Sequence, residues 1–241
     1  MGIEQNVTRV TARIAAAARR AGRDPDEVTL VAVSKTFPAE TVLEAHRAGL
    51  SIFGENKIQE ARTKIPDVAA ALPEDAVSWH FLGHLQRNKV KYAVRLFDMI
   101  HSIDSVRLLK ELEKRCAAFE IELGLEKRLP LLLEINVAQE ATKYGLPIDD
   151  RARLNEVVET ALRQPHLELQ GLMTMAPIVV EPEDARPFFR QLRMLRDDLE
   201  RDFSAIDLRH LSMGMTGDFE IAVEEGATLV RIGRAIFGRQ S

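Results

Sequence analysis

The sequence predicts a closed (β/α)8 TIM barrel, an eight-stranded parallel barrel surrounded by helices. Short apolar runs rich in Val, Ile and Leu alternate eight times with amphipathic segments over 241 residues. Polar clusters follow the carboxyl ends of the predicted strands, where barrels place their functional residues. No composition change marks a linker, so we expect a single domain over residues 1–241. A doubly wound open sheet is the alternative, because alternation alone does not show closure.

An extra N-terminal helix precedes the first strand. Its apolar residues recur at steps of three and four from Ile3 to Ala17, and Gly22 ends it. The first strand is the apolar run 28–36, which carries Lys35 near its carboxyl end. The next three strands are predicted over residues 51–53, 77–82 and 99–103.

The second half of the chain repeats the same alternation. Asp104 or Ser105 caps a long helix, and Pro147 is expected to start the helix after the fifth strand. The acidic pairs at 149–150, 197–198 and 224–225 lie on predicted helices and are interpreted as solvated faces. The last four strands are predicted over residues 131–137, 167–173, 208–213 and 228–232.

Composition narrows the classes of partner. The net charge is −4 and no run of basic residues occurs, so no nucleic acid partner is expected. No apolar segment has the length of a membrane span and the N-terminus lacks a signal-type core, so no membrane partner is expected. The single cysteine, Cys116, suits a reducing cytoplasm and is interpreted as a core residue. His80 and His84 are four apart, but the chain leaves a strand between them, so they lack helical metal-ligand geometry and no metal site is expected.

Lys35 is the first candidate functional residue. It shares one face of the predicted strand with Val31 and Val33, and an ammonium on that face is awkward unless the strand end opens into a cleft. A desolvated lysine amine can attack a carbonyl to form a Schiff base. The alternative is a lysine that simply reaches water.

Two glycine-rich turns after the last two strands form the second candidate site. Residues 211–218 and 230–238 have the pattern of the barrel phosphate site, in which backbone N–H groups bind an anion and Ser212 adds a hydroxyl. The alternative is two tight turns that only close the barrel. Arg231 is expected to face the mouth, where its acceptor could be a carboxylate such as Glu134, a core ion pair or a cofactor ring nitrogen.

Several motifs in one order resemble a known family, and the likeness runs over residues 3–238. The motifs are AVSKT at 32–36, GENKIQE at 54–60, WHFLGHLQRNK at 79–89, GLM at 171–173, SMGM at 212–215 and VRIGRAIFG at 230–238. They resemble the pyridoxal-phosphate homeostasis proteins, whose fold is similar to the N-terminal barrel of alanine racemase. The resemblance implies a fold-type III pyridoxal-phosphate barrel.

The resemblance also implies roles for individual residues. Lys35 would hold pyridoxal 5′-phosphate as an aldimine, and Arg231 would meet the pyridine nitrogen. The other implied binding residues are Asn56, Ser212, Gly233 and Arg234, the last three at the phosphate. The residues implied around the mouth are His80, Lys143, Met213 and Thr216. Thr216 stands where serine is most often expected, and Arg234 stands where many relatives carry threonine.

The implied function is cofactor homeostasis rather than catalysis. The protein would be a reversible carrier that buffers pyridoxal 5′-phosphate, has apo-enzymes as possible recipients, is monomeric and lacks robust turnover. An arginine opposite the pyridine nitrogen disfavours protonation of that nitrogen, which makes the ring a poor electron sink.

Two alternatives remain open. An amino-acid racemase needs a second base facing Lys35, which related racemases bring from a following domain, whereas this sequence ends at Ser241. The other alternative is an aldolase-type Schiff-base barrel without cofactor.

Overall fold

The computed structural model describes residues 2–140 and 143–238. Within them, eight parallel strands follow one another around a ring in the order β4-β3-β2-β1-β9-β8-β7-β5, and pairing of β4 with β5 closes it. The predicted barrel is confirmed and the open sheet is excluded. The barrel strands are β1 Thr29–Val33, β2 Ile52–Glu55, β3 Ser78–Phe81, β4 Met99–Ile103, β5 Leu129–Asn136, β7 Leu167–Met173, β8 His210–Ser212 and β9 Leu229–Ile232.

Helices surround the barrel and bury a large apolar layer against it. A smaller apolar cluster fills the barrel interior and contains Val31, Met99, Leu132, Met173 and Leu229. Side chains alternate between the two faces of a strand. The side chains two positions after Met99, Leu132 and Leu229 therefore also face the interior; these are His101, Glu134 and Arg231. The helices are α1 Ile3–Arg20, α2 Ala39–Arg47, α3 Ile58–Ala69, α4 Val90–Leu96, α5 Val106–Leu123, α6 Arg151–Leu162, α7 Arg186–Asp202, α8 Phe219–Glu224 and α9 Arg234–Phe237.

The extra N-terminal helix packs against the helices that follow the last two strands. It contacts α8 and α9, and Asn6 Nδ2 donates to the Ile236 carbonyl at 2.8 Å. After the helix, Arg23 Nη1 donates to the carbonyls of Val223 and Ala227 at 2.8 and 2.9 Å. The helix therefore supports the two short helices that follow the glycine-rich turns. Within the described residues, no helix is long and apolar enough to cross a membrane.

Two local expectations are wrong. Pro147 does not start a helix: Leu146–Pro147 is a short strand, β6, that pairs with the end of β5. Helix α6 begins only at Arg151, where the Asp150 side chain accepts from the Arg153 N–H. The pair at 224–225 is not a solvated face either, because Glu225 is 5% exposed and accepts from three arginines of α7.

Candidate functional site

Lys35 lies two residues beyond the end of β1 and is solvent-exposed. It lines a cavity of about 320 Å³. The other residues of this cavity are Val33, Thr36, Phe37, Gly233, Arg234 and Gly238. The two candidate sites of the sequence therefore form one site, because β1 and β9 are paired neighbours in the barrel.

The turn that carries Lys35 is held from both sides. Thr36 has φ of +69°, which is a rare conformation for a β-branched residue, and its N–H donates to Glu60 Oε2 at 2.9 Å. On the other side, Lys64 Nζ donates to the Ser34 carbonyl at 2.8 Å. Glu60 and Lys64 are one turn apart on α3, so this helix fixes both neighbours of Lys35.

A buried ion pair lies behind this turn. Lys64 Nζ is 2.6 Å from Glu55 Oε1, and the same oxygen accepts from Ser34 Oγ at 2.8 Å. Burial raises the pKa of the Glu55 carboxyl, and the contact with Lys64 opposes that rise. No role for Lys64 was predicted, although it lies between Ala61 and Val68 on the buried face of α3. A lysine in that register is the signal that could have revealed it.

The glycine-rich turns approach the cavity closely. A Cβ on Gly233 would lie 3.0 Å from the Val33 carbonyl oxygen, so a larger residue would crowd β1 at this turn. Gly233 directly precedes α9, and Arg234 is exposed at its first position. Thr216 is half-buried in the turn after β8.

Arg231 is buried in the barrel interior and binds neutral acceptors. Nη1 donates to Ser212 Oγ at 2.6 Å and Nη2 to the Thr174 carbonyl at 2.8 Å. Of the three acceptors left open for Arg231, the carboxylate and the core ion pair are not found, because its hydrogen-bond partners among the described residues are these two neutral oxygens. Burial lowers the pKa of Arg231 to about 10. Two of its five N–H donors are used, so three remain for a bound group.

Glu134 lies on β5 and is also nearly buried. Burial and the charge of Asp104 raise its pKa to about 7, while Arg231 acts in the opposite direction. Strand β5 lies four strands from β1 in either direction round the barrel, so Glu134 faces the site from the side opposite Lys35.

Ser212 and two histidines extend the buried polar cluster beneath the mouth. His101 Nδ1 lies 2.9 Å from Ser212 Oγ, and His101 Nε2 lies 3.0 Å from His80 Nδ1. His80, predicted near the mouth, therefore lies inside the barrel. His101 was not identified from the sequence, because its contact with Ser212 joins β4 to β8 across the interior and no local pattern encodes it.

The remaining predicted residues lie at different depths. Asn56 follows β2, and its Oδ1 is buried without a hydrogen-bond partner. Lys143 forms an ion pair with Glu140 at 2.7 Å. Met213 is fully buried in the larger apolar cluster, so its side chain packs as a core residue. Beside Lys143, Tyr144 stacks on His84 with ring centroids 3.8 Å apart.

These features fit an anionic aldehyde with a nitrogen-containing ring. Lys35 supplies an amine that can react with the aldehyde, and the turn at Gly233 supplies backbone donors for an anion. The unused Arg231 donors suit a ring nitrogen, and the orphaned Asn56 oxygen needs a donor that the described protein does not supply.

Comparisons with known proteins agree with this chemistry. The family model for the alanine racemase N-terminal domain matches residues 6–241. The pyridoxal phosphate homeostasis protein of Aquifex aeolicus is 43% identical over 236 residues, covering 98% of this chain and 97% of that protein. The pyridoxal phosphate homeostasis protein of Escherichia coli K12 is 40% identical over 239 residues, covering 98% and 96% of the two chains.

Two solved structures are similar to this chain in fold. PipY of Synechococcus elongatus PCC7942, solved with pyridoxal phosphate bound, is 35% identical with a TM-score of 0.78 and coverage of 95% and 100%. The alanine racemase of Clostridium difficile 630 is 9% identical with a TM-score of 0.71, covering 99% of this chain and 57% of the racemase. That second likeness shows a shared fold alone.

Proposed function

Because the chain belongs to the pyridoxal phosphate homeostasis protein family, we propose that it binds pyridoxal 5′-phosphate reversibly through Lys35. The observation that carries this proposal is the cavity that brings Lys35 together with Gly233 and Arg234, which follow the strand that carries Arg231. A PipY structure with pyridoxal phosphate bound supports it. The cofactor supplies an aldehyde for the lysine and an electron-withdrawing ring.

The proposed contacts follow the geometry of the mouth. Backbone N–H groups at Gly233 and Arg234 bind the phosphate, Arg231 donates to the ring nitrogen, and Asn56 accepts from the bound group. Ser212 was predicted to donate to the phosphate, but it is fully buried and its hydroxyl is shared between Arg231 and His101. Thr216, half-buried in the turn that follows Ser212, is the better candidate for a phosphate hydroxyl.

The proposed role is a monomeric, cytoplasmic carrier without robust catalysis, which buffers the cofactor and passes it to apo-enzymes. Arg231 keeps a full positive charge because its acceptors are neutral. A cation opposite the ring nitrogen disfavours protonation there and weakens the ring as an electron sink. Names of the relatives support the homeostasis role.

Borohydride reduction of the cofactor-loaded protein tests the covalent link. We expect one phosphopyridoxyl group per chain on Lys35, because Lys35 alone combines exposure with a place in the cavity beside the phosphate turn. Peptide mass mapping locates the label. The matched variants are Lys35→Ala, which should remain colourless and unlabelled, and Lys89→Ala, which should label normally. A label mainly on Lys143 or Lys89 would overturn the assignment.

A further inference from the structure

Four side chains form a hydrogen-bonded chain across the barrel interior. It runs from Arg231 on β9 through Ser212 on β8 and His101 on β4 to His80 on β3, with donor–acceptor distances of 2.6, 2.9 and 3.0 Å. Ser212 and His101 are fully buried, so water cannot replace a missing partner. We call these residues the interior chain.

The direction of each hydrogen bond in the interior chain follows from elementary bonding. A guanidinium only donates, so Ser212 Oγ accepts from Arg231. The single hydroxyl hydrogen of Ser212 then needs an acceptor, and His101 Nδ1 is the partner within reach. In the reverse arrangement His101 would also donate to Ser212, and the buried hydroxyl hydrogen would have no acceptor among the described residues.

The same rule sets the tautomer of both histidines. A neutral imidazole that accepts at Nδ1 carries its hydrogen on Nε2, so His101 Nε2 donates to His80 Nδ1. His80 then also carries its hydrogen on Nε2. Burial lowers the pKa of His101 well below its usual range, and the charges of His80, Arg231 and His210 act in the same direction. Burial also lowers the pKa of His80 to about 4, with the charge of His210 acting in the same direction. Both rings are therefore neutral acceptors at neutral pH.

The interior chain also fixes the guanidinium at its upper end. Ser212 Oγ binds one arm of the Arg231 fork, and the Thr174 carbonyl binds the other. Thr174 is itself held, since its Oγ1 donates to the Ile135 carbonyl at 2.7 Å. A planar fork held at two points has a set orientation, and its unused N–H groups point in a set direction.

We propose that His101 and His80 are positioning residues, which hold the Ser212 hydroxyl as an acceptor and thereby orient Arg231 toward the ring nitrogen of the bound cofactor. Only the final step, the contact with the ring, rests on the proposed function. Orientation of the guanidinium is a property of the protein itself and can be measured without cofactor.

Nuclear magnetic resonance on the cofactor-free, full-length protein tests the interior chain directly. We expect long-range ¹H–¹⁵N spectra to show His101 and His80 as neutral Nε2–H tautomers at pH 7. The guanidinium of Arg231, assigned by its loss in Arg231→Lys, should show separate, slowly averaging Nη signals. A cationic ring or an Nδ1–H tautomer at His101 would overturn the inference.

Substitutions at His101 test the positioning role. His101→Leu removes the acceptor for Ser212 and should average the Arg231 Nη signals; His101→Asn keeps an acceptor at the Nδ1 position and should restore them. One lost hydrogen bond should weaken cofactor binding about five-fold and shift the pH at which the bound cofactor changes absorbance. His46→Gln, which replaces a half-buried histidine of α2 outside the interior chain, is the control and should change neither readout.

The two possible failures are distinguishable. A wild-type protein that gives no spectral change with pyridoxal 5′-phosphate contradicts the proposed function, whereas the Arg231 signals still report on the interior chain. Conversely, folded His101→Leu with unaltered Arg231 signals overturns the positioning role even if the wild type binds cofactor tightly. Circular dichroism establishes folding, and the tautomer measurement on the unmodified protein is decisive if His101→Leu does not fold.

Discussion

Arg231 and Glu134 are two buried ionisable side chains that share the barrel interior without touching. Arg231 gains two strong acceptors, whereas Glu134 has no hydrogen-bond partner among the described residues and is 4% exposed. An ionised carboxylate in that position loses hydration and gains only a distant cation. The two residues therefore affect stability in opposite ways: the arginine is satisfied in its ionised form, whereas burial favours the protonated form of the glutamate.

Glu134→Gln should stabilise the protein at alkaline pH. The folded state raises the pKa of Glu134 from 4.5 to about 7, so folded protein binds more protons than unfolded protein between these values. The free energy of unfolding therefore falls as the pH rises through this window. Removing the carboxyl should raise the free energy of unfolding by about 3 kcal/mol at pH 8 and by almost nothing at pH 4.

Urea unfolding of both proteins across this pH range measures the effect. Glu156→Gln, an exposed glutamate on α6, is the control and should give a difference that does not depend on pH. An equal effect of Glu134→Gln at pH 4 and pH 8 would mean that the carboxyl is not destabilised by burial.

The site residues that could be predicted from the sequence are those placed by their position along a strand or turn. Lys35 and Gly233 follow strands, and parallel strands bring their carboxyl ends to one rim. The hydrogen-bond partners of Arg231 could not be predicted from local position, because they lie on other strands of the barrel. Ser212 was identified for its hydroxyl but given a different role, because the contact that defines it comes from His101 on the opposite side of the interior.

Among the elements, α3 has the largest influence on the candidate site. Glu60 and Lys64 hold the residues on either side of Lys35, and Lys64 also neutralises Glu55. This role could not be predicted from the sequence, because Glu60 and Lys64 contact residues that lie more than twenty positions earlier in the chain. At Pro147, by contrast, the local prediction itself is wrong. Proline suits the first turn of a helix, but residues 146–147 pair with β5 and form a strand instead.

A double-mutant cycle on the buried ion pair tests the role of α3. Lys64→Met leaves Glu55 buried without its counter-charge and should lower the free energy of unfolding by about 3–5 kcal/mol. The double variant Lys64→Met/Glu55→Gln should recover at least half of that loss, because no unpaired charge remains. Urea unfolding at pH 7 provides the four free energies.

Lys57→Met is the matched control, because Lys57 directly precedes α3 and pairs with Glu60 at an exposed position. Removing an exposed pair should cost less than about 1 kcal/mol. If the effects of Lys64→Met and Glu55→Gln on the free energy of unfolding simply add, the two side chains do not stabilise each other. That result would contradict a stabilising ion pair behind Lys35.

For the whole molecule, the barrel joins two distant parts of the chain into one site. The strand with Lys35 and the strand with Arg231 are separated by most of the sequence but are paired, with Val31 opposite Arg231. Alternation of strands and helices predicted this neighbourhood because the first and last strands of a closed barrel must meet. That residues 1–241 form a single domain stays a prediction.

The barrel is shared with racemases, so the functional distinction depends on the charges inside it. We expect cofactor-loaded protein not to racemise L- or D-alanine at the rate of a dedicated enzyme. Removal of the Cα proton forms a carbanion, which needs a strong electron sink or bases on both faces of the substrate. Arg231 weakens the sink. Tyr144 is 56% exposed and stacked on His84, and Glu134 faces the site from β5 without a partner to orient it.

Chiral product analysis of alanine incubated with the loaded protein measures this activity, with Lys35→Ala as the background. Slow exchange of the Cα hydrogen from one face is compatible with Lys35 acting alone, and it should survive Glu134→Gln. Lysine-dependent racemisation at or above about 1 s⁻¹, the low end of typical enzyme rates, would identify an enzyme and contradict the carrier function. If Glu134→Gln then abolished that activity while Tyr144→Phe did not, the second base would be the carboxyl on β5, directly across the barrel from the lysine.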